Sequence, residues 1–110
     1  MLLTQVQDTS RFGSVLVDDG GEILKFEEKE NSRREGLINA GIYFIRRKLI
    51  LDTVPTEGVS SLEKDIFPKW IGKRFYGYAA RGRFIDIGTP ESYRAVSDFF
   101  GIGSSFKIIV

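Results

Sequence analysis

The sequence contains no cysteine and no histidine. The absence of cysteine excludes disulfide bonds, thiolate metal sites and cysteine nucleophiles. The absence of histidine excludes Ser–His–Asp catalysis, histidine zinc sites and the usual general base near neutral pH. Any chemistry must therefore use carboxylates, lysines, arginines, backbone amides or a hard metal ion.

A strong net charge and a long hydrophobic run are also lacking. The 16 Lys and Arg residues nearly balance the 15 Asp and Glu residues, which leaves a net charge of +1 and indicates no nucleic-acid partner. The apolar stretches are too short to span a membrane, and residues 1–8 lack the basic region of a signal peptide. We therefore expect a cytoplasmic protein that binds neither nucleic acid nor a membrane.

What is present is the composition of one globular domain, with 110 residues of which 42% are hydrophobic. Apolar patterns and turn residues predict strands and helices that alternate along the chain. The predicted strands are 2–6, 13–17, 22–27, 37–45, 75–80 and 84–87, and the predicted helices cover 46–54 and begin at Ser60 and Thr89. This order predicts an α/β fold with a mixed β-sheet and flanking helices.

A single carboxylate, Asp86, lies within the apolar segment 84–87, just before Gly88 and the helix start at Thr89-Pro90. Carboxylates at strand ends of α/β folds often hold a hard cation such as Mg²⁺. Alternatively, Asp86 caps the turn or the helix. The pattern alone leaves both interpretations open.

Two other segments place polar groups at predicted strand ends. Glu28 and Lys29 follow the strand 22–27, and a carboxylate beside an ammonium suits a ligand with hydroxyls and a phosphate. Asn39 lies at the mouth of the next strand, where Gly41 leaves room for a ligand. The alternatives are a solvated charged strand end and a structural amide.

The residues Ser60 and Glu63 have the spacing of a capping box, with Ser60 as N-cap and Glu63 at the third helical position. On this interpretation Glu63 is a structural residue, and Lys64 and Asp65 are exposed helix charges.

Five motifs follow one another in an order that resembles the sugar-1-phosphate nucleotidyltransferases, above all the mannose and heptose 1-phosphate guanylyltransferases and the glucose-1-phosphate thymidylyltransferases. The motifs are Arg11-Phe12-Gly13, Phe26-Glu27-Glu28-Lys29, Asn39-Ala40-Gly41-Ile42-Tyr43, Ser61-Leu62-Glu63-Lys64-Asp65 and Phe84-Ile85-Asp86-Ile87-Gly88-Thr89-Pro90-Glu91. The resemblance covers roughly residues 4–98.

The resemblance implies the α/β sandwich of the nucleotide-diphosphosugar transferases and an attack of a sugar 1-phosphate on the α-phosphorus of a nucleoside triphosphate. Such chemistry depends on positioning and on charge neutralisation by Mg²⁺ and cations. By resemblance, Asp86 is a Mg²⁺ ligand and Lys29 lies near the sugar phosphate, which makes these two the catalytic candidates. The substrate-binding candidates are Gly13, Glu28, Lys29, Asn39 and Gly41.

The chain departs from this family by lacking the glycine-rich triphosphate loop and the first metal-binding aspartate. We therefore expect residues 1–100 to be a partial domain, the sugar-phosphate-binding half, and 101–110 to be a flexible link with an apolar tail. We expect this half to be inactive alone and to pair with the missing half or a second copy. The alternative is a free-standing binding or oligomerisation module derived from such an enzyme.

Overall fold

A computed structural model describes residues 1–30 and 33–101 of the chain. It contains a three-stranded sheet in the order β4-β1-β5, formed by β1 (Leu2–Val6), β4 (Gly36–Asn39) and β5 (Tyr78–Ala80). Strand β1 is central, antiparallel to β4 and parallel to β5. The sheet is therefore mixed, and together with the helices it confirms the predicted α/β class.

A β-hairpin lies beside this sheet and consists of β2 (Ser14–Val17) and β3 (Ile23–Glu27). Its turn is closed by Asp18, whose Oδ1 accepts hydrogen bonds from the amides of Gly20 and Glu22 at 2.9 and 2.8 Å. Gly21 has φ +82°, a conformation that glycine adopts without a steric penalty. The hairpin predicted from the Asp-Asp-Gly-Gly turn is confirmed.

Four helical elements complete the described fold. They are α1 (Arg47–Thr53), a π turn (Leu62–Ile66) that continues into α2 (Phe67–Trp70), α3 (Pro90–Arg94) and α4 (Val96–Phe99). None of the helices formed by residues 1–30 and 33–101 is long and apolar enough to cross a membrane.

The predicted helix start at Thr89 is confirmed, because its side chain accepts a hydrogen bond from the amide of Ser92 at 3.2 Å and Pro90 is the first helical residue. The predicted start at Ser60 is wrong by one residue. Ser61 is the N-cap and accepts from the amide of Lys64 at 3.2 Å, while Asp65 accepts from the amide of Ser61 at 2.7 Å. Glu63 therefore takes no part in the cap.

Three predicted strands differ from the structure by more than one residue. The strand predicted over 75–80 begins only at Tyr78, and Tyr76 forms an isolated bridge to Glu22. The strand predicted over 37–45 ends at Asn39, because Gly41 has φ +78° and turns the chain out of the sheet. The segment 84–87 forms no strand in the described part of the chain, although Phe84 contacts Phe12 edge-on at 6.0 Å. The apolar residues of 40–45 and 84–87 therefore do not pair as strands, and some of them, such as Phe44, are exposed.

The core has two parts that share Met1, Phe26 and Phe75. One part lies between the sheet and the hairpin and contains Leu3, Val15 and Ile23. The other lies under α2 and contains Ile66, Phe67 and Trp70. Phe67 stacks on Phe26 at 5.9 Å, so an aromatic contact joins the helix to the hairpin. Apart from Gly101, the predicted link and tail over 101–110 lie outside the described residues.

Candidate functional site

A cleft of about 870 Å³ lies between the open end of the hairpin, the end of β4 and the π turn. Five of the six residues predicted for the site line it: Gly13, Glu28, Lys29, Asn39 and Asp86. They come from four separate segments of the chain, spanning positions 13 to 86. The sixth, Gly41, is absent from the lining, and its amide donates to Asn39 Oδ1 at 2.9 Å.

Gly13 lies at the open end of the hairpin, where two backbone segments approach closely. Its φ is +73°, and a Cβ atom at this position would lie 2.5 Å from the carbonyl oxygen of Glu27. Only glycine fits such an approach between two backbone segments. The close approach brings the segment that follows β3 against the start of β2, which places Glu28 and Lys29 at the cleft.

Glu27 precedes these two residues and is already engaged by its neighbours. Its carboxylate accepts from Ser14 Oγ at 2.7 Å and pairs with Arg34 at 2.5 Å and with Lys25 at 3.7 Å. The hydrogen bond from the Ser14 hydroxyl, with the charges of Arg34 and Lys25, lowers the pKa of Glu27, although burial opposes the shift. Glu27 therefore anchors the strand end at which Glu28 and Lys29 line the cleft.

Asn39 has three hydrogen bonds that fix its side-chain amide. Its Nδ2 donates to Tyr43 Oη at 2.7 Å and to Glu63 Oε1 at 3.1 Å, and its Oδ1 accepts from the Gly41 amide. Both amide hydrogens are used, so the free hydrogen-bonding capacity that remains is one lone pair on Oδ1.

Sequence reasoning missed several polar residues of the cleft. They are Arg11, Ser14, Glu63 and Lys64. Glu63 was assigned to a helix cap on local spacing, whereas the structure pairs it with Asn39, 24 positions away. The signal that pointed to it was the order of the five motifs, since Ser61–Asp65 is one of them.

Positive charge at the cleft comes from Arg11, Lys29 and Lys64. Within residues 1–30 and 33–101, none of these three forms an ion pair. Arg11 lies over the ring of Phe12 at 5.6 Å. Cations that form no ion pair with the described residues, in the same cleft as the carboxylates of Glu28 and Glu63, suit a ligand that carries both a phosphate and hydroxyl groups.

Asp86 is the carboxylate that faces the cleft from the side of α3. Its Oδ1 accepts from the Gly88 amide at 2.9 Å, so Asp86 closes a turn, as one of the two sequence interpretations proposed. Its Oδ2 makes no hydrogen bond to the described residues.

The carboxylates of the described residues limit how a Mg²⁺ ion could be held. No group of three or more carboxylates in the described part of the chain could hold a metal. Mg²⁺ commonly uses only one or two carboxylates together with phosphates of the substrate. Asp86 fits the role of a single protein ligand to an ion shared with a substrate phosphate.

Comparison with known proteins agrees with the sequence motifs and the fold. Residues 1–101 match the family model described as nucleotidyl transferase. The chain belongs to the nucleotidyl transferase family, and the resemblance found in the sequence is confirmed.

Several curated relatives are sugar-1-phosphate nucleotidyltransferases. The chain is 35% identical over 95 residues to D-glycero-alpha-D-manno-heptose 1-phosphate guanylyltransferase of Aneurinibacillus thermoaerophilus, covering 86% of this chain and 40% of the relative. It is 32% identical over 94 residues to glucose-1-phosphate adenylyltransferase of Desulfitobacterium hafniense (strain Y51), covering 79% and 24%.

Among solved structures, HddC from Yersinia pseudotuberculosis complexed with GMP-PN shares the fold with a TM-score of 0.71 and 30% identity. The match covers 91% of this chain and 43% of that chain. The chain therefore spans less than half the length of each of these three proteins.

Proposed function

We propose that this chain is the sugar-phosphate-binding half of a nucleotidyltransferase that forms nucleotide-sugars from a nucleoside triphosphate and a sugar 1-phosphate. The observation that supports this is the convergence of Gly13, Glu28, Lys29, Asn39 and Asp86 on one cleft. Relatives whose names specify heptose, mannose and glucose 1-phosphates favour a sugar 1-phosphate as the ligand.

Each residue is assigned to a different part of the sugar 1-phosphate. Glu28 accepts hydroxyl protons of the sugar, and Lys29 meets the phosphate as a point charge. Gly13 provides a backbone surface without a side chain against the sugar. Asp86 would hold a Mg²⁺ ion, and the ion would supply neutralisation of phosphate charge.

The chain alone does not transfer nucleotides on this proposal, since no glycine-rich loop for a triphosphate is found in its sequence. The nucleotide would be held by a second polypeptide segment that completes the domain. This accords with the extent of the match, which covers 43% of the HddC chain.

Titration of the 110-residue protein with mannose, glucose and heptose 1-phosphates, with and without Mg²⁺, tests the proposal. We expect saturable binding that Mg²⁺ strengthens, and no nucleotide-sugar when a nucleoside triphosphate is added. Failure of every sugar 1-phosphate to bind would contradict the binding assignment. Formation of a nucleotide-sugar by the pure chain would contradict the proposal that it is inactive alone.

A second candidate function, a binding or oligomerisation module, is favoured by exposed apolar side chains. Phe44 is 96% exposed and Tyr78, on the edge strand β5, is 73% exposed. Large exposed apolar groups next to an open strand edge favour association with another copy or with the missing half. Light scattering over a concentration series is the test, and a monomer at every concentration would count against self-association.

A further inference from the structure

One wall of the cleft is formed by the π turn Leu62–Ile66. The amide of Phe67 bonds to the carbonyl of Leu62, five residues earlier, so the turn holds one residue more than an α-helical turn. Both Glu63 and Lys64 line the cleft from this turn. Isolated π turns occur frequently at functional sites.

The hydrogen bonds around Asn39 orient Glu63 without ambiguity. The Gly41 amide can only donate and must face Oδ1, so Nδ2 faces the Glu63 carboxylate, which can only accept. The Nδ2–Oε1 bond of 3.1 Å joins the end of β4 to the π turn. Glu63 Oε2 has no hydrogen bond to residues 1–30 and 33–101 and is left for a ligand.

We propose that Glu63 is a specificity-determining residue that accepts a hydrogen bond from a sugar hydroxyl through Oε2, and that Asn39 is the positioning residue that holds it. This inference rests on the proposed function. It assigns the contact with a sugar hydroxyl to Glu63 rather than to Asn39. Asn39 has no hydrogen left to donate to a sugar, and both of its N–H bonds are used on Tyr43 and Glu63. We assign it the role of holding Glu63, and the double-mutant cycle below distinguishes this role from a direct contact through the remaining lone pair of Oδ1. Glu28 and Glu63 are then the two carboxylates of the cleft assigned to sugar hydroxyls, and together they select a ligand with at least two hydroxyl groups.

Lys64 extends the same inference to the phosphate. It is exposed, follows Glu63 in the π turn and forms no ion pair with the described residues. Together with Lys29 it provides two ammonium groups at the cleft. A compact, strongly hydrated ammonium binds phosphate as a point charge and does not discriminate between sugars. On this inference, the neighbouring residues Glu63 and Lys64 bind different parts of one ligand, a sugar hydroxyl and the phosphate.

The test compares Glu63→Gln and Lys64→Ala, each titrated with mannose 1-phosphate and with inorganic phosphate. We expect Glu63→Gln to weaken mannose 1-phosphate binding about tenfold, as for one hydrogen bond to a charged group, and to leave inorganic phosphate binding unchanged. Lys64→Ala should weaken the binding of both ligands. Glu57→Gln and Lys69→Ala make the same substitutions outside the cleft and should change neither.

A double-mutant cycle tests the positioning role of Asn39. If Asn39 acts through Glu63, then Asn39→Ala together with Glu63→Gln should bind mannose 1-phosphate no more weakly than Glu63→Gln alone. Additive losses would show that Asn39 contacts the sugar independently. Thermal unfolding of each variant separates lost binding from lost folding, and retention of the fold in Glu63→Gln makes the comparison valid.

The outcomes separate this inference from the proposed function. If the wild-type chain binds no sugar 1-phosphate, the proposed function fails. If the wild-type chain binds and Glu63→Gln binds equally well, the proposed function stands and the role of Glu63 is overturned. Equal losses for sugar phosphate and inorganic phosphate in Glu63→Gln would also overturn it, because they would indicate a general charge effect.

Discussion

Trp70 Nε1 donates a hydrogen bond of 3.1 Å to Thr53 Oγ1, which joins α2 to the last residue of α1. The Thr53 hydroxyl in turn donates to the Leu49 carbonyl at 2.6 Å. Trp70 is 1% exposed and contacts Phe67 and Phe75. Since α2 follows the π turn directly, this bond helps to hold the wall of the cleft.

We expect Thr53→Val to lower the free energy of unfolding by about 1–3 kcal/mol, because it leaves the buried indole N–H without an acceptor. The chain has one tryptophan, so its fluorescence during urea denaturation reports the transition. Thr56→Val, an exposed threonine in the following loop, is the matched control. A loss in Thr53→Val no larger than that of the control would show that this bond contributes nothing.

The backbone contact at Gly13 predicts a second effect on stability. An alanine there would combine φ +73° with a Cβ 2.5 Å from the Glu27 carbonyl oxygen, so the backbone must shift. We expect Gly13→Ala to destabilise the protein by about 1–3 kcal/mol. Gly82→Ala is the control, since nothing lies within 4 Å of a Cβ at that position. Similar denaturation midpoints for the two variants would contradict the prediction.

The lowered pKa of Glu27 predicts a pH dependence of stability. A carboxyl group whose pKa is lower in the folded state stabilises the fold above its unfolded value, about 4.3, and this stabilisation is lost as the pH falls through the folded pKa. The hydrogen bond from Ser14 is the largest cause of the shift. Removing it with Ser14→Ala should raise the pKa of Glu27 toward its ordinary value.

Two measurements check this expectation. Carboxyl chemical shifts followed by NMR during acid titration give the pKa of Glu27 in each variant. Thermal unfolding between about pH 7 and pH 3 should show a smaller acid-side loss of stability in Ser14→Ala than in the wild type. Ser97→Ala, on α4, should titrate as the wild type does. An unchanged pKa of Glu27 in Ser14→Ala would mean that Arg34 and Lys25 alone set it.

The parts of the fold that sequence reasoning predicted correctly are those determined by local chemistry. The Asp18–Gly21 turn and the Thr89-Pro90 helix start depend on residues within a few positions of each other. The error at 84–87 depends on longer range, because Phe84 packs on Phe12 and no local pattern distinguishes that packing from strand pairing. The strand predicted over 37–45 ends early for a local reason, since Gly41 has φ +78°.

In the candidate site, too, sequence patterns located some residues, while a residue fixed by a long-range contact was missed. Local residue patterns and the order of the motifs pointed to Glu28, Lys29, Asn39 and Asp86, and the structure brings these four to one cleft. Glu63 was missed because a capping box accounted for it locally, while Asp65 in fact reaches back to the cap. Its contact with Asn39 exists only once β4 and the π turn are packed together, which sequence spacing does not reveal.

The proposed role of Asp86 predicts that Mg²⁺ affects the binding of a sugar 1-phosphate. Asp86→Asn keeps an oxygen that can accept from the Gly88 amide, so the turn should persist while the negative charge is lost. If Asp86 holds Mg²⁺ together with a substrate phosphate, this substitution should weaken the Mg²⁺-dependent part of sugar 1-phosphate binding at least about tenfold. Binding without Mg²⁺ should be unchanged or slightly stronger, because a negative charge near the phosphate is removed.

The measurement is the ratio of dissociation constants with and without Mg²⁺, determined for wild type, Asp86→Asn and the exposed-helix control Asp98→Asn. The control should keep the wild-type ratio, and Asp86→Asn should bring the ratio close to one. A wild-type ratio of one would show that Asp86 alone cannot recruit the ion in this chain. A ratio in Asp86→Asn equal to that of the wild type would show that another group, such as Glu28 at the same cleft, holds the metal.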